Sequence, residues 1–294
     1  MGDKYDLWVY IDGEFLKGDD AKIPVFNHGL FYGDGVFEGI RAYDGKVFKL
    51  DEHLDRLYAS MKGISMIDLP ITREELKEAT LETLRRNNLK EAHIRIIVSR
   101  GPGPGGLNPF KCKRPSVYIM SYPFPGILGA EPVSLITSSI RRKSPHSVDA
   151  KIKSLNYLDN VLAKIQAIVA GVDDALMLDV RGFVAECTGE NIFVVKGNKV
   201  MTPFTHAALE GITRATIMDM AKEFGYEVYE KDTTIQELYS ADEVFLCGSG
   251  AEIVPVGEID GREIGIKQPG PVTEKIRKAY FELVKTKHIT PIYG

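Results

Sequence analysis

The chain has 294 residues, with 37 Lys and Arg against 41 Asp and Glu, and the resulting net charge of −4 argues against a constitutive polyanion binder. Apolar residues make up 44% and charged residues 27%, which excludes the disordered and membrane classes and allows one large domain or two, each with a full core. A cytoplasmic enzyme or a folded binding protein is what remains.

The N-terminal Met1-Gly2-Asp3-Lys4-Tyr5-Asp6 has no basic stretch leading into an apolar core, and no later run approaches the roughly 18 apolar residues of a membrane span. The apolar stretch Leu7 to Ile11 and the turn Asp12-Gly13 open the first third. Val36 to Tyr43 alternates in the manner of a strand, and Asp44-Gly45 turns it into Val47-Phe48-Lys49-Leu50, which is hairpin grammar. Asp51 reads as a helix cap, with Leu54, Leu57, Tyr58 and Met61 on one face at helical spacing. Thr72 with Glu75 forms a capping box for a second helix, buried through Leu76, Ala79, Leu81 and Leu84. Strands are expected at Ala92 to Ser99 and at Ser116 to Tyr122.

Between those strands lies Gly101-Pro102-Gly103-Pro104-Gly105-Gly106, which has the spacing GxGxxG after a strand. A dinucleotide site also needs a helix there to present N–H groups to a pyrophosphate, and Leu107-Asn108-Pro109 and Pro115 interrupt one. A shaped surface loop is the better reading. Tyr122-Pro123-Phe124-Pro125-Gly126 is the best linker, so the organisation reads as a smaller N-terminal α/β domain at 1–121, an interdomain loop at 122–131 and a larger C-terminal domain at 132–294.

In the second part, strands are expected at Pro132 to Ser139, Asp173 to Asp179, Asn191 to Lys196 and Glu243 to Cys247. Helices are expected at Asn156 to Ala170, Thr213 to Phe224 and Val272 to Lys285; the first carries Leu158, Val161, Leu162, Ile165 and Ile168 on one stripe, with Lys164 off it. No internal repeat is visible. Cys112, Cys187 and Cys247 are odd in number and lack a CxxC pair, so neither a disulfide framework nor a metal site is expected. Only three glutamines accompany plentiful Lys, Glu and Arg, a bias that points to a heat-adapted source. P-loop, zinc-protease and serine-hydrolase motifs do not occur.

Three motifs carry a more specific signal: Lys153-Ser154-Leu155-Asn156-Tyr157-Leu158, then Glu186-Cys187-Thr188-Gly189-Glu190-Asn191-Ile192-Phe193, then Leu209-Glu210-Gly211-Ile212-Thr213-Arg214. With them the chain resembles the class IV (fold-type IV) pyridoxal-phosphate aminotransferases. Gly35-Val36-Phe37-Glu38-Gly39-Ile40-Arg41, Gly248-Ser249-Gly250-Ala251-Glu252-Ile253 and Gly270-Pro271-Val272-Thr273 are similar to the branched-chain amino-acid aminotransferase branch, so the resemblance spans nearly the whole chain.

The resemblance implies an α/β (α+β) fold with the active site between the two domains, the larger of which binds pyridoxal 5'-phosphate. It implies transfer of the amino group of leucine, isoleucine or valine to 2-oxoglutarate, ping-pong through pyridoxamine phosphate, in a homodimer or a dimer-based hexamer. Lys153 would be the catalytic Schiff-base lysine, with Lys151 a neighbour and Lys164 a surface helix lysine. Glu186 would hold the pyridine nitrogen protonated. Arg56, the N–H groups of Ile212 and Thr213 at a helix start, and the Ser249 hydroxyl would take the phosphate. Tyr157 would pack near the ring.

For the substrate, the resemblance implies an apolar wall of Phe37, Phe124 and Ile127, with Leu107 brought from a partner subunit by the Gly/Pro loop. Arg95 would receive the γ-carboxylate of glutamate, a task suited to a planar bidentate donor. The α-carboxylate would lie on the turn Ser249-Gly250-Ala251 with Tyr32 nearby. Two features depart from the pattern. His93-Ile94-Arg95-Ile96 stands where the branch usually has Tyr-Ile-Arg-Pro, and Ser99-Arg100-Gly101 is similar to the D-amino-acid aminotransferases and aminodeoxychorismate lyases of this fold. Those two activities, and a non-catalytic α/β binding protein, are the alternatives.

Overall fold

The computed structural model describes residues 6–124, 128–129, 131–266 and 268–293. The chain divides into two compact units, the first made of Met1–Phe124, Ile152–Asn156 and Leu283–Gly294, the second of Pro125–Lys151 and Tyr157–Glu282. The segment that carries Lys153 thus belongs to the first unit although the chain on both sides of it belongs to the second.

In the first unit a hairpin of β1 (Trp8–Ile11) and β2 (Glu14–Lys17) precedes the short helix α1 (His28–Tyr32), the long strand β3 (Gly35–Tyr43) and β4 (Lys46–Phe48). Helices α2 (Leu50–Gly63) and α3 (Arg73–Arg86) follow, then β5 (Ala92–Ser99) and β6 (Ser116–Tyr122). β3, β5 and β6 pair antiparallel in the middle of the sheet, with Phe37 opposite Ile97, Gly39 opposite Arg95 and Arg41 opposite His93. Because side chains alternate, Val36, Ile40 and Ala42 share one face with Ile94, Ile96 and Val98, and all six are fully buried in a cluster with Leu54, Leu57 and Leu84 of the two helices. Phe37, Arg41, His93 and Arg95 therefore stand on the opposite face.

The capping box at Thr72 and Glu75 is formed. Asp51, in contrast, is no cap: α2 starts after Lys49, which has a left-handed φ of 49°, and Asp51 lies in the first turn, paired with Arg73 at 3.0 Å and Lys77 at 2.7 Å. The apolar spacing from Leu50 onward fixed the helix, and an acidic first turn satisfies the dipole as well as a cap residue would.

The second unit runs β7 (Val133–Thr137), α4 (Leu158–Ala170), β8 (Asp174–Leu178), β9 (Val184–Cys187), β10 (Asn191–Lys196), β11 (Lys199–Pro203), α5 (Ile212–Glu223), β12 (Glu227–Lys231), α6 (Ile235–Tyr239), β13 (Glu243–Gly248), β14 (Glu252–Ile259) and β15 (Arg262–Glu263). Helix α7 (Pro271–Thr286) starts where Glu243 accepts from the Val272 and Thr273 N–H groups, and the last strand, β16 (Ile289–Pro291), pairs with β4 in the first sheet. The second sheet has the order β12-β11-β10-β13-β14-β7-β8-β9 and mixes parallel with antiparallel neighbours. Among the described residues no helix is long and apolar enough to cross a membrane.

Helix α4 turns the opposite way from its apolar stripe. Asn160, Ala163 and Ala167 are the buried residues, while Leu158 is 69% and Ile168 66% exposed, with Val161, Leu162 and Ile165 also open. Two alanines let the helix lie close on β8, and that face was less conspicuous in the sequence than the leucine and isoleucine stripe.

Candidate active site

The site is built as two groups of side chains, one in each unit. In the first unit, Ile152–Asn156 lies along the start of β3 through an isolated bridge: Phe37 N donates to Lys153 O at 2.9 Å, Leu155 N donates to Gly35 O at 2.9 Å, and Val36 is bridged to Ser154. Lys153 N donates to Ser60 Oγ on α2 at 3.1 Å. The lysine backbone is thereby held from two sides, and its Nζ lies 4.7 Å from the centroid of the Phe37 ring. Arg95 lies over the same ring at 4.6 Å.

Helix α2 presents His53, Arg56 and Ser60 at i, i+3 and i+7, one face of a 3.6-residue helix. Glu38 meets them from β3. Arg56 donates Nε to Glu38 Oε1 and Nη2 to Oε2, both at 2.8 Å, and His53 Nδ1 lies 2.7 Å from Oε2. Glu38 is completely buried, which favours the acid form, yet Arg56 and His53 hold its carboxyl well below the usual range. Burial lowers the His53 imidazole despite Glu38. Removing one member of such a buried pair costs about 3–5 kcal/mol, whereas an exposed pair such as Lys151 with Glu210, at 2.8 Å, contributes about 0–1 kcal/mol.

On the other face of the first sheet, His93 packs against Tyr122 and Phe124 with ring centroids 5.4 and 5.0 Å away, and Arg41 stacks on Phe124 at 5.5 Å. Burial, with Arg95, Arg41 and Lys153 as nearby cations, pushes the His93 imidazole down to about 3, so it is neutral. Gly39 leaves the space over this ring open, because a Cβ there would stand 3.1 Å from His93 Cε1. Tyr32, 39% exposed on α1, accepts a hydrogen bond from Gly106 N at 2.8 Å, which ties it to the Gly/Pro loop. Leu107 on that loop is 81% exposed. Ile127 lies outside the described residues.

In the second unit, Glu186 is buried on β9 with both oxygens engaged. Arg142 lies 2.7 Å from Oε1, and Oε2 accepts from Asn191 Nδ2 and from Leu209 N, each at 3.1 Å. A carboxylate has about four acceptor positions, so Oε1 retains capacity for one further N–H. Arg142 also donates to Asp159 at 2.8 Å and to Asn160 at 2.9 Å. Its own burial opposes the charge, but Glu186 and Asp159 outweigh it and raise its pKa.

The N-terminus of α5 follows Gly211, and no side chain caps it. Glycine is required there, since a Cβ would lie 2.0 Å from Asn191 Oδ1. The first N–H groups of the helix, those of Ile212 and Thr213 among them, have no intrahelical acceptor, and the positive end of the helix dipole lies there. Ser249, Gly250 and Ala251 form a turn between β13 and β14, with Gly250 and Ala251 buried. Tyr157 precedes α4, and Lys143 Nζ lies 5.5 Å from its ring.

Three positively charged side chains have other assignments. Lys151 is half exposed and paired with Glu210. Lys164 is tied to Asp173 O at 2.6 Å and Asp174 at 3.2 Å, so it is more than a surface lysine. Arg100 forks Asp34 with two bonds of 3.0 Å and donates to the Ile64 and Ser65 carbonyls, so four of its five N–H groups are committed within the first unit. The residues that the sequence reading did not single out are Glu38, His53, Ser60, Arg142 and Asn191. Glu38 and Asn191 stood inside quoted motifs, and the polar residue among apolar ones on the buried face of β3 was the available signal for Glu38.

Residues 35–259 match the model of the amino-transferase class IV family, and the chain belongs to that family. A Methanocaldococcus jannaschii protein provisionally named a branched-chain-amino-acid aminotransferase is 51% identical over 286 residues, 97% of this chain and 99% of the relative. The crystal structure of Escherichia coli branched-chain amino acid aminotransferase is 37% identical with a TM-score of 0.94, covering 98% of this chain and 100% of that one. The enzyme of the same name from Thermobaculum terrenum, solved in its PLP-form, is 30% identical with a TM-score of 0.88, covering 99% of this chain and 100% of that one.

Proposed function

We propose that the protein transfers the amino group of branched-chain L-amino acids (leucine, isoleucine, valine) to 2-oxoglutarate, using pyridoxal 5'-phosphate in two half-reactions. The observation that carries this reading is the fixed Lys153 backbone beside Phe37 and Arg95, together with the Arg142-backed Glu186 carboxylate. Pyridoxal phosphate, when bound, supplies an aldehyde for the amine and a protonated ring that accepts electron density. The residues fit it: Glu186 Oε1 has room for a ring N–H, and the uncapped α5 N-terminus, Arg56 and Ser249 are the donors for a dianion.

In this reading Lys153 Nζ would be the amine that holds the cofactor and would move a proton at the substrate Cα. Glu186 keeps the ring nitrogen protonated, with Arg142 holding the carboxylate in line. Phe37, Phe124 and Ile127 exclude water around an aliphatic side chain. The Ser249-Gly250-Ala251 turn and Tyr32 orient the α-carboxylate. Arg95 has no side-chain carboxylate partner among the described ion pairs, which supports its assignment to a substrate carboxylate. The commitment of Arg100 to Asp34 favours the branched-chain reading over the D-amino-acid and lyase alternatives.

A screen of single half-reactions with L- and D-amino acids and with 2-oxo acids tests the assignment. Leucine, isoleucine, valine and glutamate should react in the L-form; reaction with the D-forms alone would overturn it. Arg95→Leu should lower kcat/KM for 2-oxoglutarate by about 10–100-fold and leave the branched-chain 2-oxo acids within a few-fold, as expected for loss of a charge-assisted pair. Equal losses for both would sink the dual-pocket account.

The homo-oligomer, a dimer or a dimer-based hexamer, is part of the same proposal. The exposed stripe of Leu158, Val161, Leu162, Ile165 and Ile168 supports it, since a contiguous apolar helix face is costly to leave in water. Leu107 is proposed to reach a partner's site. Sedimentation of the purified protein should give a dimer or a multiple of it, and a monomer at working concentration would count against this part.

A further inference from the structure

We propose that Glu38 is a positioning residue for the cofactor phosphate: it fixes the direction of the Arg56 guanidinium, and His53 in turn fixes Glu38. The inference rests on Arg56 as a phosphate-binding arm and goes beyond it, because neither Glu38 nor His53 is assigned a place in the reaction above.

The position of Glu38 is the first argument. Val36, Ile40 and Ala42 occupy the same face of β3 and are fully buried among the leucines of α2 and α3. An apolar side chain is what that face otherwise takes, and a buried carboxylate is a poor route to stability compared with a hydrophobic residue of similar size. A role in placing something is the better account of its presence.

The geometry is the second. Glu38 engages Arg56 side-on, through Nε and Nη2, both at 2.8 Å. This fork fixes the plane of the guanidinium and leaves the Nη1 end outside it. An arginine on a helix surface otherwise samples many rotamers, each of which would have to be given up when a phosphate binds. His53 closes the arrangement at 2.7 Å. An ionised carboxylate only accepts, so the proton must sit on Nδ1, and the imidazole donates it to Glu38 Oε2. Glu38 and Arg56 cancel in charge and His53 is neutral. The cluster is balanced in charge, so what Glu38 contributes is the direction of the Arg56 guanidinium and not a surplus of positive charge.

The structure of α2 makes the cluster coherent with the catalytic lysine. His53, Arg56 and Ser60 lie on one helix face, and Ser60 accepts from Lys153 N at 3.1 Å. A single helix therefore sets both the phosphate arm and the lysine backbone, and Glu38 locks that helix to β3, the strand that also pairs with the lysine segment.

The test compares pyridoxal phosphate with pyridoxal, which lacks the phosphate, by absorbance titration of the full-length protein freed of cofactor. In Glu38→Gln the dissociation constant for pyridoxal phosphate should rise about tenfold while that for pyridoxal changes less than about twofold, as for loss of one directed charge-assisted contact. His53→Asn, whose amide N–H can replace Nδ1–H, should stay near the parent protein, and His53→Leu should follow Glu38→Gln. If Glu38→Gln does not fold, His53→Leu and its rescue by Asn carry the same comparison. Equal weakening of both ligands, or no effect in Glu38→Gln and His53→Leu while Arg56→Ala loses phosphate selectivity, would overturn the positioning role alone. If Arg56→Ala also fails to distinguish the two ligands, the phosphate reading of Arg56 is what fails.

Discussion

Lys153→Ala is expected to abolish the long-wavelength absorbance of the bound cofactor and to lower transamination by about 10⁴-fold or more, since both the covalent anchor and the proton carrier are lost. The fold should survive. Lys153 is held through its backbone, by Ser60, Phe37 and the bridge between Val36 and Ser154, and none of these bonds uses the side chain. Lys151, two residues earlier, offers no replacement because it is half exposed and paired with Glu210, both residues belonging to the second unit. Lys151→Ala is the control and should retain both signals. A Lys153→Ala protein that kept its absorbance and turnover, while Lys151→Ala lost them, would refute the assignment.

The second large effect is expected at Glu186. Glu186→Gln should slow each half-reaction by about 10²–10³-fold, the usual range for loss of one group that stabilises developing charge. The cofactor should remain bound through Lys153 and the phosphate donors. The substitution leaves Arg142 buried, but Asp159 at 2.8 Å still compensates its charge, so a loss of rate would not be an unfolding effect. Single-turnover absorbance measurements distinguish the outcomes, and unchanged half-reaction rates would remove Glu186 from the chemistry.

Much of the first unit was readable because local and global signals agree there. The alternation of Val36 to Tyr43 predicts a strand and the apolar spacing of α2 predicts its buried side, and both elements form, although β3 is buried on both of its faces. The failed signals had competing local explanations. Asp51 had the composition of a cap but sits in the first turn of the helix, two residues past the cap position, where an acidic residue is equally stable. The α4 stripe satisfied helical periodicity, but periodicity says only that a face is apolar, not whether its partner is the same chain.

The candidate site divides in a similar way. Lys153, Glu186 and the Gly211-Ile212-Thr213 helix start are legible through the motifs that carry the resemblance to the family. Arg142, Glu38 and His53 are not, since each acts on a residue distant in the chain: Arg142 on Glu186, and Glu38 and His53 on Arg56. Arg100 shows the same limit in reverse. The resemblance of Ser99-Arg100-Gly101 to the D-amino-acid aminotransferases and lyases left its role open, and only the folded chain brings Asp34 and the end of α2 together to occupy it. By itself the sequence determined the elements and the reactive groups, because periodicity and residue chemistry are local properties. The tertiary structure decided which charges are held in place and which are left to a ligand, because that depends on what long-range packing puts within hydrogen-bonding reach of each one.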